Sequence, residues 1–126
     1  MPKWTWGEIS LENLEGIHPD LRRLCDEALR TSPIDFRVID GLRTMKEQIE
    51  FKKRGASQIL KSRHLHGFAV DVAALVLGKV RWEDPLYVPI REAFAKASKK
   101  FDIPLGKTIK WDMGHFELDK KRYPDP

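Results

Sequence analysis

The sequence is poor in cysteine and has no long hydrophobic run. Cys25 is the only cysteine among the 126 residues, which excludes an internal disulfide and agrees with synthesis in a reducing compartment. The longest apolar stretch, residues 69–77, is interrupted by Asp71 and is far shorter than the roughly 20 residues that span a membrane. The N-terminal residues contain no apolar segment and no small-residue cleavage site, so we expect neither a secretory signal nor a membrane span.

Internal repeats and low-complexity segments are also absent. A chain of 126 residues can bury a core of its own, so residues 1–126 are predicted to form a single domain, which we expect to be a monomer. The 23 basic and 19 acidic residues give a net charge of +4, which is compatible with ordinary solubility or with attraction to an anionic cell envelope. The basic residues are not interleaved with aromatic ones as in a nucleic-acid groove, so we expect no nucleic-acid partner.

Three helices are predicted from apolar spacing and from residues that begin or end helices. Pro19 is suited to the first position of a helix that ends before Pro33, and Thr44 can cap a second helix that runs to about Arg54. A third helix is predicted over residues 85–101, where apolar residues recur at helical spacing.

Strands are predicted where β-branched and aromatic residues cluster. The most apolar segment, residues 69–76, is typical of a buried strand. Residues 36–42, 105–111 and 113–118 are further candidates, and residues 56–61 are predicted to be a loop. Since helices and strands do not alternate regularly, the predicted class is α+β, with about three helices packed on a small, largely antiparallel sheet.

Asp71 lies in an apolar segment, where an unpaired carboxylate would be costly. A hydrogen bond or a bound cation would remove this cost. His64 precedes Asp71 by seven residues and would lie about 23 Å away in a straight strand. The two can therefore share a cation only if the chain turns between them, and Gly67 is suited to such a turn.

His115 is a third candidate ligand, with Asp112 three residues before it. Two imidazoles and one carboxylate would leave one position of a tetrahedral zinc ion open to water, as in catalytic sites. A nearby carboxylate could then accept a proton from that water. Spacing alone does not choose between Asp112 and Glu117 for this role, and it does not exclude His66 as a ligand.

Two ordered motifs carry a resemblance to a known family. The pattern Ser-x-His-x-x-Gly-x-Ala-x-Asp is present over residues 62–71, and Asp-x-x-His is present over residues 112–115. Together they resemble the D-Ala-D-Ala carboxypeptidase-like zinc peptidases. The similarity is greatest to phage endolysins and bacterial autolysins of the L-alanyl-D-glutamate endopeptidase type, and it extends to residues 16–21 and 40–44.

The resemblance implies a zinc site at the sheet and a role for each matching residue. His64, Asp71 and His115 would bind Zn²⁺, and Asp112 would act as general base and then general acid. Arg43 would stabilise the developing oxyanion or bind a substrate carboxylate. Ser62 would contact the substrate or brace the metal ligands.

The implied function is hydrolysis of the L-Ala–D-Glu amide in peptidoglycan stem peptides by a phage-type endolysin. Such a protein would accumulate in the host cytoplasm and reach the cell wall through a holin. One alternative is a D-Ala-D-Ala carboxypeptidase or dipeptidase of the same fold. Another is a metal- or wall-binding module without catalysis.

Overall fold

The chain folds into four α-helices and a four-stranded sheet. The computed structural model describes residues 3–55, 62–107 and 112–126. The helices are α1 (Glu8–Leu14), α2 (Pro19–Thr31), α3 (Met45–Lys53) and α4 (Asp84–Phe101), and a short 3₁₀ helix spans Arg63–His66. The strands are β1 (Asp35–Asp40), β2 (Ala69–Val76), β3 (Lys79–Arg81) and β4 (His115–Glu117).

Two of the helices, α2 and α3, begin at residues whose side chains accept hydrogen bonds from free backbone N–H groups. His18 precedes α2 and accepts a hydrogen bond from the backbone N–H of Asp20 at 3.0 Å. Thr44 and Glu47 form a reciprocal capping box at the start of α3, in which each side chain accepts from the other's backbone N–H. These caps explain why α2 and α3 begin where the sequence predicts.

β2 is the central strand and all its partners are antiparallel. β1 lies along one edge, and β3 and β4 lie along the other, where β3 pairs with residues 74–76 and β4 with residues 69–71. Asp71 therefore has Asp40 beside it on β1 and His115 beside it on β4.

The two faces of the sheet have different roles because side chains alternate along a strand. Val70, Val72 and Ala74 of β2 face α2 and α4 and belong to the hydrophobic core, as does Phe116 of β4, whose ring stacks on Phe94 with centroids 3.8 Å apart. Asp71 lies between two core residues and so points to the opposite face. The neighbours of Phe116 on β4, His115 and Glu117, point the same way.

The structure confirms the α+β class, the antiparallel sheet and the three predicted helices, and it corrects several details. α1, β3 and the 3₁₀ helix are not predicted from the sequence, so there are four α-helices among the described residues rather than three. β1 and β4 are shorter than predicted at their C-terminal ends, and β4 also begins two residues later. Of the strand predicted at 105–111, only Leu105 forms a bridge, with Leu118; residues 108–111, like the loop predicted at 56–61, lie outside the described residues.

Among the described residues, no helix has the length and apolar character needed to cross a membrane.

Candidate metal centre

His64, Asp71 and His115 are brought together on the face of the sheet opposite the core. One potential ligand atom from each lies within 4.8 Å of the other two. Asp71 connects the group, because its Oδ2 lies 3.2 Å from His64 Nε2 and its Oδ1 lies 2.8 Å from His115 Nδ1. Two imidazole nitrogens and one carboxylate form a donor set that suits zinc and leaves a coordination position for water.

The turn before β2 places His64 in this group. Ser62 caps the 3₁₀ helix by accepting a hydrogen bond from the backbone N–H of His64 at 3.2 Å. Gly67 ends the helix in the left-handed region with a φ of 72°, where a side chain is unfavourable. The chain thus reverses between His64 and Asp71, as their spacing requires for a shared cation.

Each histidine ring is held by a hydrogen bond on the side away from Asp71. His64 Nδ1 lies 2.8 Å from the backbone oxygen of Gly41, and His115 Nε2 lies 3.0 Å from Glu117 Oε1. When these nitrogens donate, His64 Nε2 and His115 Nδ1 are the atoms directed at the shared centre. Metal-bound histidines in proteins are usually oriented by such outer partners, so the residues present fit a metal ion.

Burial and hydrogen bonds set the charges of Asp71 and His115 when no metal ion is bound. Burial opposes charge on Asp71, but its hydrogen bonds to His115 and His64 hold the pKa of the carboxyl group below its usual range. Burial likewise disfavours a charged His115, yet hydrogen bonds to Asp71 and Glu117 raise its pKa to about 10. The centre therefore holds negative charge at neutral pH and compensates it with a protonated imidazole.

Asp112 lies beside this group on the turn that leads into β4. The backbone oxygen of Asp112 accepts from the N–H of His115 at 3.3 Å, and the oxygen of Gly114 accepts from Val72 at 2.8 Å. Gly114 is required at this approach because a Cβ atom would lie 2.3 Å from the backbone oxygen of Val72. Burial and the nearby charge of Asp71 raise the pKa of Asp112.

Arg43 approaches the group from the loop after β1. It is buried, which excludes the position of an ordinary surface arginine. One guanidinium nitrogen, Nη2, forms an ion pair with Asp40 and lies 3.8 Å from Asp71 Oδ2, while the guanidinium packs over the ring of Phe51 at 4.2 Å. Its Nε atom is buried with no hydrogen-bond partner among the described residues.

Sequence spacing does not exclude His66 as a metal ligand or Glu117 as the proton acceptor, and the structure places these two residues differently. His66 is not part of the group; its Nε2 lies 4.0 Å from Asp125 and its ring packs against Phe68. Glu117 contacts His115 and so occupies the position of an orienting partner.

Arg63 is a buried residue near the site that the sequence reasoning does not identify. Its side chain donates to Asp125 and to the backbone oxygen of Leu118, and it lies 3.6 Å from Glu117 Oε2. Its position directly before His64 is the only sequence signal, because nothing in residue order predicts that its guanidinium reaches β4.

The chain is similar to known proteins over nearly its whole length. Residues 3–123 match the family described as phage L-alanyl-D-glutamate peptidase. The L-alanyl-D-glutamate peptidase of Escherichia phage T5 is 30% identical over 127 aligned residues, covering 95% of this chain and 93% of the relative. A crystal structure of the Serratia marcescens L-Ala D-Glu endopeptidase ChiX matches with a TM-score of 0.86 and 43% identity, covering 94% of this chain and 92% of that chain.

The family match spans nearly the whole described chain, both relatives are matched over more than nine-tenths of their length, and ChiX also has the same fold. The chain belongs to the phage L-alanyl-D-glutamate peptidase family.

Proposed function

We propose that this chain is a zinc-dependent endopeptidase of the phage endolysin type that hydrolyses the L-Ala–D-Glu amide of peptidoglycan stem peptides. The observation that carries the proposal is the orientation of the two imidazole rings. Each ring is held at its outer nitrogen and directs the other nitrogen toward Asp71. Family membership supports the choice of substrate bond.

His64, Asp71 and His115 would hold the zinc ion. When bound, zinc would polarise the scissile carbonyl group and lower the pKa of a bound water. The protein determines the orientation of this centre, because the backbone oxygen of Gly41 and the carboxylate of Glu117 hold the two imidazole rings at their outer nitrogens.

Asp112 would move the proton that hydrolysis requires. Its carboxylate would accept a proton from the attacking water and then donate it to the nitrogen of D-Glu as the C–N bond breaks. A general base works best when its pKa is close to the operating pH. Burial and the charge of Asp71 raise the pKa of Asp112 in that direction.

Arg43 would supply positive charge next to the reacting carbonyl group. Its distance of 3.8 Å from Asp71 Oδ2 places the guanidinium at the edge of the centre. There it would stabilise the oxygen that becomes negative in the transition state. Ser62 would act through His64, whose backbone it holds, rather than through a covalent step.

Product analysis tests this proposal. Purified peptidoglycan would be digested with three samples. These are the protein as isolated, the protein after a chelator has removed its metal, and the stripped protein after zinc has been added back. We expect new N-terminal D-Glu by mass spectrometry, only when zinc is present. Release of D-Ala alone would instead support a carboxypeptidase of the same fold, and bound zinc without any product would support a non-catalytic module.

The cellular route is a separate part of the proposal. The enzyme would accumulate in the host cytoplasm and reach the wall through a holin. Expression in bacteria is then expected to cause lysis only when the inner membrane is permeabilised. Lysis at the same rate without permeabilisation would contradict this route while leaving the hydrolytic activity intact.

A further inference from the structure

A cavity opens directly beside the candidate metal centre. Its volume is about 260 Å³, and His115 and Glu117 form part of its wall. Arg91 of α4 and Lys107 contribute cationic groups, while Leu105 and Phe116 contribute apolar surface. A substrate whose scissile bond reaches His115 would therefore pass this cavity on one side.

The charge of the cavity wall is positive among the described residues. Glu117 is the one carboxylate there, and its charge is balanced by His115 at 3.0 Å and by Arg63 at 3.6 Å. Arg91 donates from Nε to the backbone oxygen of Met113 at 3.1 Å, which holds its guanidinium near the turn that carries Asp112. Lys107 is exposed and forms no ion pair within the described part of the chain.

We propose that this cavity binds a carboxylate on the leaving side of the stem peptide, with Lys107 as the residue that recognises it and Arg91 adding positive charge. The inference rests on the proposed function. It follows from the distribution of charge in the substrate: the acyl side of the scissile bond ends in L-Ala, which is neutral. Negative groups lie on the leaving side, where D-Glu continues through its γ-carboxyl group and keeps a free α-carboxylate.

Two leaving-side groups share this chemistry. One is the α-carboxylate of D-Glu itself, and the other is the side-chain carboxylate of a third residue such as meso-diaminopimelate. Synthetic stem peptides separate them. One pair would carry D-Glu or its α-amide, and a second pair would carry meso-diaminopimelate or L-Lys at the third position.

The experiment compares kcat/KM for each pair between the wild-type protein and Lys107→Gln. We expect the wild type to prefer the carboxylate form of one pair by about twofold to fivefold, the range for an exposed ion pair. Lys107→Gln should bring that ratio close to one by raising KM for the carboxylate form. Lys107→Arg should retain most of the preference. The pair that shows the effect identifies the bound carboxylate.

Lys79→Gln is the matched control, since Lys79 is an exposed lysine on β3, which pairs with the opposite end of β2 from β4. It should leave both ratios unchanged. Equal rates for both forms of both pairs in the wild type, or a preference that survives Lys107→Gln, would overturn the cavity assignment while N-terminal D-Glu still appears. Absence of N-terminal D-Glu with every peptide would overturn the proposed function as well.

Discussion

Glu117 orients His115 in the structure through a hydrogen bond to the outer ring nitrogen. The bond joins Glu117 Oε1 to His115 Nε2 at 3.0 Å, and it leaves Nδ1 directed at Asp71. A partner of this kind sets which nitrogen binds metal and makes the ring a stronger donor. Glu117 is therefore expected to contribute to metal affinity without bonding to the metal.

Glu117→Gln is expected to weaken zinc binding by about 10- to 100-fold, since an amide is a weaker hydrogen-bond acceptor than a carboxylate. Competition with a chelating indicator would measure the dissociation constant. Glu92→Gln, an exposed change on α4, is the control and should leave it unchanged. Equal affinity in the wild type and Glu117→Gln would show that this hydrogen bond does not support the metal site.

Asp112→Ala separates metal binding from catalysis. Because Asp112 lies beside the three candidate ligands and is not one of them, zinc should remain bound at wild-type stoichiometry. Loss of the proton acceptor should lower kcat by about 10²- to 10⁴-fold. Metal analysis and the rate of D-Glu release measure the two effects on one sample. Undiminished hydrolysis would remove Asp112 from the mechanism.

Metal binding should also release a proton. The pKa of about 10 for His115 in the metal-free chain means that the ring is charged at pH 7. A metal ligand must be neutral, so binding displaces about one proton from this ring and apparent affinity rises as pH increases toward 10. Calorimetry in two buffers of different ionisation enthalpy measures the release. Identical heats in both buffers would contradict a protonated His115.

At the scale of single residues, the sequence predicts the candidate ligands and the structure explains why it predicts less about their neighbours. His64, Asp71 and His115 are distinguished by unusual contexts and by ordered motifs. Arg43 and Arg63 are both buried near the site, which composition and spacing do not indicate. Arg43 pairs with the nearby Asp40 but also lies close to Asp71, and Arg63 lies close to Glu117; these longer-range partners are brought close only by the folded sheet.

At the scale of elements, the turn at Gly67 is decisive for the site. A Cβ atom at Gly67 would lie 2.7 Å from the backbone oxygen of Gly16, and its φ is 72°. Gly78 has a comparable φ of 78° but no atom within 4 Å of the equivalent position. Alanine substitutions at these two glycines therefore distinguish the cost of backbone strain from the cost of a steric clash.

Gly78→Ala should lower the free energy of unfolding by about 1 kcal/mol, the cost of a left-handed residue with a side chain. Gly67→Ala adds the clash and should cost at least about 2 kcal/mol. Denaturant unfolding of the metal-free protein measures both values, so that loss of metal does not contribute. Equal costs for the two variants would show that the chain at Gly67 relaxes around the added methyl group.

The α-helix and the strand that are not predicted from the sequence are both short. α1 has seven residues and no side-chain cap, and β3 has three residues. Neither is long enough to show a periodic pattern, so both form through tertiary contacts. The longer elements, α2, β2 and α4, carry clear patterns and lie within a few residues of their predicted bounds.

At the scale of the whole molecule, the central strand serves the core and the candidate site at once. Val70 and Val72 pack under the helices while Asp71 projects to the other face between them. The apolar pattern of residues 69–76 predicts the strand, and its one carboxylate predicts the site. The cavity beside His115 could not be predicted, because its walls come from α4, the segment around Leu105 and β4.

His64, Asp71 and His115 are proposed to hold a zinc ion that hydrolysis requires. Diffraction from zinc-loaded crystals at energies on either side of the zinc absorption edge tests it most directly. We predict one anomalous peak bonded to His64 Nε2, to the Asp71 carboxylate and to His115 Nδ1. A peak bonded to His66 instead, or no peak at this centre in protein that releases N-terminal D-Glu, would contradict the account.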